Sequence, residues 1–491
     1  MSYRYTGAWP ARGVHTREMQ VLRNLLLTLT PLQAALRWIH SSKHLFVAPL
    51  HLLTSRMAST YVAPTSSRDT LGIGQPLPRA PEHGSCIYLD YQATTPVWPE
   101  VAAAAEPYLR LHWGNPSSGH AFGRPCANAV TEARTQVARL INAASVDEIM
   151  FTSCGSEADN HAIVGVLMRE EMRRRIEPLD AAHPPPHVVT SNIEHPAIER
   201  CLEEFKAAGR LTVTYVPVDG EGRVSAAAVA AAVTPHTILV TVMHSNNEVG
   251  SVQPLAEIVK LVRAKKPDVV IHTDAAQSIG KLELDVQQLG VDLLTIVGHK
   301  FGAPKGVAAL YVAKPLKLPN YMHGGGQEGG RRAGTECVVL LAAIGAAAKI
   351  AREQASPLQA HMRMTRDRLA TKLVEGLPES SCRINGPSDD SHRLPNTLSI
   401  GIRGVRSSLL LSRLSEKLAA SAGAACHSHA ANISAVLRAM EVPTDYAMGT
   451  LRLSTGRHTT LAEVDAAAEL IIEETKRQWA EHAEAPAKFH S

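Results

Sequence analysis

The sequence predicts an α/β protein, with a large domain around a mostly parallel seven-stranded sheet and a smaller α+β domain toward the C-terminus. Three observations predict it. Short apolar, β-branched runs recur between residues 149 and 312. Helical patterns separate them, the alternation expected of a parallel sheet covered on both faces. Polar residues able to carry chemistry follow directly after successive runs, where open α/β sheets bind ligands.

The runs are Ile149–Phe151, Val188–Thr190, Leu211–Val218, Thr237–Met243, Val269–Thr273, Leu293–Val297 and Val307–Val312. Between them, Asn128–Ile141 places Val130, Val137, Leu140 and Ile141 on one helical face. After about Gln354 the pattern changes. A helix is expected over Leu358–Leu377, a strand over Asn396–Ile400, a helix over Ser407–Leu418 and a strand over Leu451–Ser454. A last helix opens with Thr460-Leu461-Ala462-Glu463, a capping-box pattern. These elements predict an N-terminal extension over 1–85, a large domain over 100–355, and a small domain made from 86–99 and 356–484.

At 491 residues the chain exceeds one compact core. Its 45% apolar content is ordinary for a soluble protein. A net charge of +4 without a basic block argues against nucleic acid as a partner. The seven cysteines are scattered and form no C-x-x-C pair, which suits a reduced intracellular compartment. The first ~80 residues hold only two acids, Glu18 and Asp69, and their apolar stretches are too short to span a bilayer. Two readings stay open for this stretch. It is a mitochondrial transit peptide, or an untranslated or disordered extension with Met57 as an alternative start. The expected compartment is accordingly the cytoplasm or the mitochondrion, with no membrane.

Each strand end offers a functional reading beside a bland one. Thr152-Ser153-Cys154-Gly155-Ser156-Glu157 opens a helix, whose free N–H groups suit an anion, or is an ordinary N-cap. His195 suits stacking on a planar ring, or is structural. Asn246-Asn247 can bond a ring oxygen, or makes a turn. Asp274 ends a β-branched run, where burial asks for a cationic partner, or caps the next helix. Lys300, in Gly298-His299-Lys300-Phe301, can form a Schiff base, or lies on the surface. Taken singly each signal is weak. Together they form the equipment that holds pyridoxal phosphate, with the carboxylate keeping the pyridine nitrogen protonated. No nicotinamide fingerprint of G-x-G-x-x-G after a first strand competes.

Tyr88-Leu89-Asp90-Tyr91-Gln92-Ala93-Thr94-Thr95-Pro96, Gly114-Asn115-Pro116-Ser117-Ser118, the Asn-Asn-Glu, Asp-Ala-Ala-Gln and Gly-His-Lys segments, and Gly324-Gly325-Gly326-Gln327-Glu328 are similar to class V aminotransferase enzymes. Within that class they resemble the cysteine desulfurase and selenocysteine lyase group. The resemblance runs from about Ile87 to Trp479. It implies a pyridoxal-phosphate enzyme of fold type I, a homodimer with its active site between subunits. Lys300 would carry the cofactor, Asp274 bind the pyridine nitrogen and His195 stack on the ring. Gln277 and Asn247 would contact the ring oxygen, and Gly155, Ser156 and His299 the phosphate. Thr335 would reach the partner's phosphate. Arg452 would clamp the substrate carboxylate, with Asn115 also in substrate binding. Cys426, in Ser421-Ala422-Gly423-Ala424-Ala425-Cys426-His427, would be the nucleophile. Cys154 and Ser156 stand where the family often has Gly and Thr, and Val297 where bacterial desulfurases often have Ser.

The implied reaction takes selenium or sulfur from selenocysteine or cysteine, leaving alanine and passing the chalcogen to an acceptor protein. Val297-Gly298-His299-Lys300-Phe301 and Ala424-Ala425-Cys426-His427-Ser428 favour selenocysteine lyase, with cysteine desulfurase as the alternative. A class V transaminase and a non-catalytic scaffold are weaker readings. A metal site at Cys426, His427 and His429 lacks further ligands, and no metal is expected.

Overall fold

The apolar runs pair into one sheet because each can be buried on both faces. In the computed structural model, residues 72–76, 80, 83–176, 184–425 and 432–484 are described. Strand β1 (Ile87–Tyr88) stands apart from the main sheet. That sheet is built from β2 (Ile149–Thr152), β3 (His187–Ser191), β4 (Thr212–Val216), β5 (Thr237–Thr241), β6 (Val270–Asp274), β7 (Leu293–Val297) and β8 (Ala308–Val312). Its order is β2-β8-β7-β6-β5-β3-β4. The β7-β6-β5-β3-β4 neighbours are parallel, and β8 runs antiparallel to both β7 and β2.

Successive residues serve opposite faces. Met150, Val188, Leu239, Val270, Leu293 and Leu310 pack under the helix Gly155–Ile176. Their neighbours Phe151, Val189, Val240, Ile271, Leu294 and Ala309 join the core that includes the helices Gly123–Leu140 and Val338–Glu353. Each fully buried aliphatic side chain contributes about 1.5–3 kcal/mol, so neither face can be given to water.

A second, antiparallel sheet forms from β9 (Cys382–Asn385), β10 (Thr397–Ile402), β12 (Ser421–Ala422) and β15 (Thr450–Ser454), in the order β12-β15-β10-β9. The helices Ala355–Gly376 and Leu461–Glu484 share its core through Leu369, Leu373, Val464 and Ile471. The expected capping box is present: Glu463 accepts from the Thr460 N–H at 2.9 Å, and Thr460 Oγ1 accepts from the Glu463 N–H at 3.1 Å. The helix expected over Ser407–Leu418 stops at Arg413. Leu418 instead enters β11 (Leu418–Ala419), paired in parallel with β1, where Ile87 N–H donates to Lys417 O at 2.8 Å. Long-range pairing outweighs helical propensity there. Two further short strands, β13 (Ala424–Ala425) and β14 (Asn432–Ile433), pair antiparallel.

Most of the N-terminal extension, with Met57, lies outside the described residues. Of the part described, Gly74 N–H donates to Arg457 O at 2.7 Å and Ile73 packs on the main core. Among the described residues no helix is long and apolar enough to cross a membrane.

Two histidines near the sheet are wholly buried. His244 bonds Ser278 Oγ at 2.7 Å; His272 bonds Thr241 Oγ1 at 2.8 Å and Thr295 Oγ1 at 3.1 Å. Burial pushes His244 down to about 4 and His272 down to about 3 from 6.5. The unfolded chain therefore binds protons that the fold refuses. Their contribution is complete above pH ~6.5 and is lost as pH falls toward about 4. Urea midpoints measured between pH 7 and pH 4.5 are expected to fall steadily, and His244→Asn should flatten that slope.

Candidate active site

The parallel strands direct their carboxyl ends to one side, and the expected residues gather there. Lys300 ends a single turn, Gly298–Lys300, directly after β7. Its Nζ donates to Gln92 O at 2.7 Å and Ala93 O at 2.9 Å. The same stretch is laced to His299. Thr95 N–H donates to His299 O at 2.8 Å, and His299 Nδ1 lies 3.1 Å from Thr94 Oγ1. Burial lowers the Lys300 amine to about 8, helped by Arg452 and opposed by Asp274 and Asp90. Burial, then the Lys300 charge, takes His299 down to about 4.

Asp274 is the last residue of β6 and is 6% exposed. One oxygen accepts from the Ala276 N–H at 2.8 Å. Burial raises its carboxyl, against the Ala276 N–H bond, His195 and Lys300. Among the described residues no cationic side chain pairs with it. His195 caps the helix Pro196–Ala207, and its Nδ1 accepts from the Ala197 N–H at 3.1 Å, so the neutral ring carries its proton on Nε2. Surrounding protein holds the His195 imidazole below its ordinary value. Gln277 donates from Nε2 to Gln92 O at 3.2 Å. Of the two amides, Asn246 is the turn residue: its oxygen accepts from the Glu248 and Val249 N–H groups at 2.8 and 3.0 Å. Asn247 is half-buried, and its carbonyl accepts from Arg452 Nη1 at 3.2 Å.

Gly155 and Ser156 begin the helix Gly155–Ile176, whose first N–H groups have no partner within the helix. A Cβ at Gly155 would lie 2.7 Å from Val297 Cγ2, so this turn rests directly on the end of β7. Arg332 fixes the turn from outside by a two-point ion pair with Glu157, at 2.8 and 3.1 Å. Thr335 is exposed and lines a cavity of about 130 Å³ with Ser153 and Arg332. Arg452, on β15, donates to Asp90 Oδ1 at 3.0 Å and Ser421 Oγ at 2.8 Å, and its Nε is buried without a partner. Asn115 is exposed, and its side chain caps its own turn through Ser117 N–H at 2.8 Å.

The structure thus brings together Lys300, Asp274, His195, Arg452, Gln277 and His299, with Gly155 joined through Val297. Asn115 and Thr335 make no hydrogen bond to this group among the described residues. Cys426, His427 and His429 lie outside the described residues, between β13 and β14 in the chain. Among the described residues no group of three or more His, Cys, Asp or Glu is placed to hold a metal. Residue-level reading missed Asp90, Gln92 and Ser421, which bond Arg452 and Lys300, and Lys281, which bonds Gln92 and Gln277. Only the motif around Tyr88–Pro96 carried any signal for two of them.

These residues fit pyridoxal phosphate. Asp274 is a buried carboxyl short of a cation, which a pyridine nitrogen supplies. A helix N-terminus suits the phosphate, and an amine near 8 suits the aldehyde. Fold and site together define an α/β enzyme of the pyridoxal-phosphate type. The chain belongs to the class V aminotransferase family, whose model matches residues 87–467; members of that family use pyridoxal phosphate. It is 40% identical over 394 residues to a cysteine desulfurase of Trichormus azollae, covering 80% of this chain and 94% of that one. It is 39% identical over 420 residues to a selenocysteine lyase of Bos taurus, covering 81% and 94%. A solved NifS-like protein superposes with a TM-score of 0.72 at 32% identity, over 80% of this chain and all of that one. These relatives support cysteine desulfurase better than the selenocysteine lyase favoured by the loop motifs.

Arg452 is the charge that most lowers the Lys300 amine after burial. In cofactor-free protein, acetylation of Lys300 followed by peptide mass spectrometry should titrate with a midpoint near 8. Arg452→Gln should raise that midpoint by on the order of one pH unit.

Proposed function

We propose that the protein is a cysteine desulfurase: it takes sulfur from L-cysteine, releases L-alanine and passes the sulfur on to an acceptor protein. The observation that carries this reading is that one segment holds both groups: Lys300 Nζ donates to Gln92 O at 2.7 Å and Ala93 O at 2.9 Å, and Arg452 donates to Asp90 Oδ1 at 3.0 Å. The substrate carboxylate goes to Arg452, whose guanidinium is already aligned by Asp90 and Ser421. The substrate amine lies toward Lys300. Asp274 would hold the pyridine nitrogen, His195 the ring face, Gln277 and Asn247 the ring oxygen, and Gly155, Ser156 and His299 the phosphate.

Pyridoxal phosphate, when bound, supplies a sink for the electron pair left as the Cα proton departs. Lys300, whose amine burial lowers to about 8, would take that proton once freed as the neutral amine and later return one. The Cys426 thiolate attacks the substrate sulfur. A sulfur–sulfur bond forms, the carbon–sulfur bond breaks toward Cβ, and protonation there gives alanine. The acceptor's thiolate then attacks the outer sulfur of the Cys426 persulfide: a sulfur–sulfur bond forms on the acceptor, the bond to Cys426 breaks, and Cys426 leaves as the thiolate.

On this reading the protein is a homodimer, with Thr335 serving the partner's phosphate and Asn115 the substrate. The large domain runs over 100–355, and the small domain over 86–99 and 356–484. Selenocysteine is the second reading, supported by the bovine relative.

Cys426→Ala is expected to abolish alanine release from cysteine and to leave the visible absorbance of the bound cofactor intact. Retained turnover would point to a transaminase instead. The ratio of kcat/KM for selenocysteine over cysteine, measured on the same protein, separates the two lyase readings. A ratio above about a hundred, beyond what a one-atom difference in a shared pocket supplies, would restore selenocysteine lyase.

A further inference from the structure

Lys281 is a buried lysine. It is 4% exposed, in the turn that follows Asp274. Lysine is almost never buried unless paired, yet among the described residues no carboxylate forms an ion pair with it. Its Nζ meets three amide oxygens: Gln277 O at 2.9 Å, Gln92 Oε1 at 3.3 Å and Gln277 Oε1 at 3.4 Å.

That arrangement decides which way two amides face. With both side-chain oxygens turned to Lys281, both NH2 groups turn away. Gln277 Nε2 donates to Gln92 O at 3.2 Å, and Gln92 Nε2 donates to Thr397 Oγ1. Gln92 is 1% exposed and is held again by its own N–H, which donates to Ser454 Oγ at 2.9 Å. Its carbonyl is the oxygen on which Lys300 rests at 2.7 Å.

We propose that Lys281 is a positioning residue: it orients the Gln92 and Gln277 amides and so fixes the carbonyl on which the Lys300 amine is seated. This rests on the reading of Lys300 as the working amine. Burial, then the neighbouring Lys300, holds the Lys281 amine well below its ordinary 10.5. The charged groups that face Lys300 are Arg452, Asp274 and Asp90, with His195 and His299 beside them. Lys281 is itself within electrostatic reach of Lys300 and His299, so its removal also tests whether it acts on them as a charge.

The test uses the full-length, cofactor-free protein, so it stands apart from turnover and from the Cys426→Ala result. Lys300 is acetylated with acetic anhydride across pH 6–10 and read by peptide mass spectrometry. Lys281→Met keeps the length of the side chain and removes its donors. Lys300 then loses an aligned acceptor for its charged form, and the midpoint should fall by on the order of one pH unit. A rise would mean that Lys281 acts as a charge, and no change that the seat is independent of it; either overturns the proposal. Lys281→Gln keeps an uncharged N–H donor and should restore the midpoint to within about half a pH unit of the unaltered protein. A fall there as large as in Lys281→Met, or a rise, overturns the proposal; if Lys281→Met does not fold, Lys281→Leu takes its place as the donor-free variant, with a fall expected and no change or a rise overturning the proposal.

Discussion

The site depends on the contact between Lys300 and the carbonyls of Gln92 and Ala93. Lys300 belongs to the main sheet, whereas Gln92 follows a segment bound to the second sheet. Leu89 O accepts from Ser454 N–H at 2.7 Å, and Gln92 N–H donates to Ser454 Oγ at 2.9 Å. Arg452 lies two residues before Ser454 on the same strand and pairs with Asp90. One short segment, 89–95, therefore sets where the guanidinium stands relative to the amine. A second tie is the Asn247 carbonyl, which accepts from Arg452 Nη1 at 3.2 Å and joins β15 to the loop after β5.

Burial at this junction drives several titratable groups toward their neutral forms. Asp274 and Asp159 are raised, and Glu194 rises to about 8 even though it accepts twice from the Met243 N–H, at 3.0 and 3.1 Å. Lys300, His299 and His195 are lowered for the same reason. A site in this condition is short of positive charge beside Asp274 and holds a reactive amine beside it. Binding a cationic ring nitrogen at Asp274 corrects the first without disturbing the second.

The sheet was legible because most of its strands are buried on both faces and so read as unbroken apolar runs; only the edge strand β4 is exposed at alternate residues. Asp274, His195 and Lys300 were legible because each is a charged or polar break at the end of such a run. Gln92, Lys281, Asp90 and Ser421 were not. Their partners lie far along the chain, as with Lys281 to Gln92 and Arg452 to Asp90, separated by 189 and 362 residues. No local periodicity encodes such a pairing. The over-long helix expected after Ser407 failed for the same reason, since β11 exists only because β1 pairs with it.

The preference for selenium drawn from Val297 has a simpler physical origin in this chain. Val297 is 5% exposed, and its Cγ2 occupies the space a side chain at position 155 would need. The valine therefore supports the turn at Gly155 from beneath, and a residue chosen for that packing says little about the chalcogen. It also sits at the end of β7, in line with the Gly298–Lys300 turn. Its stiff, branched side chain restricts the strand end just where Lys300 must be aimed. What distinguishes sulfur from selenium has to act where the substrate's γ-atom lies, and Val297 faces Gly155 instead.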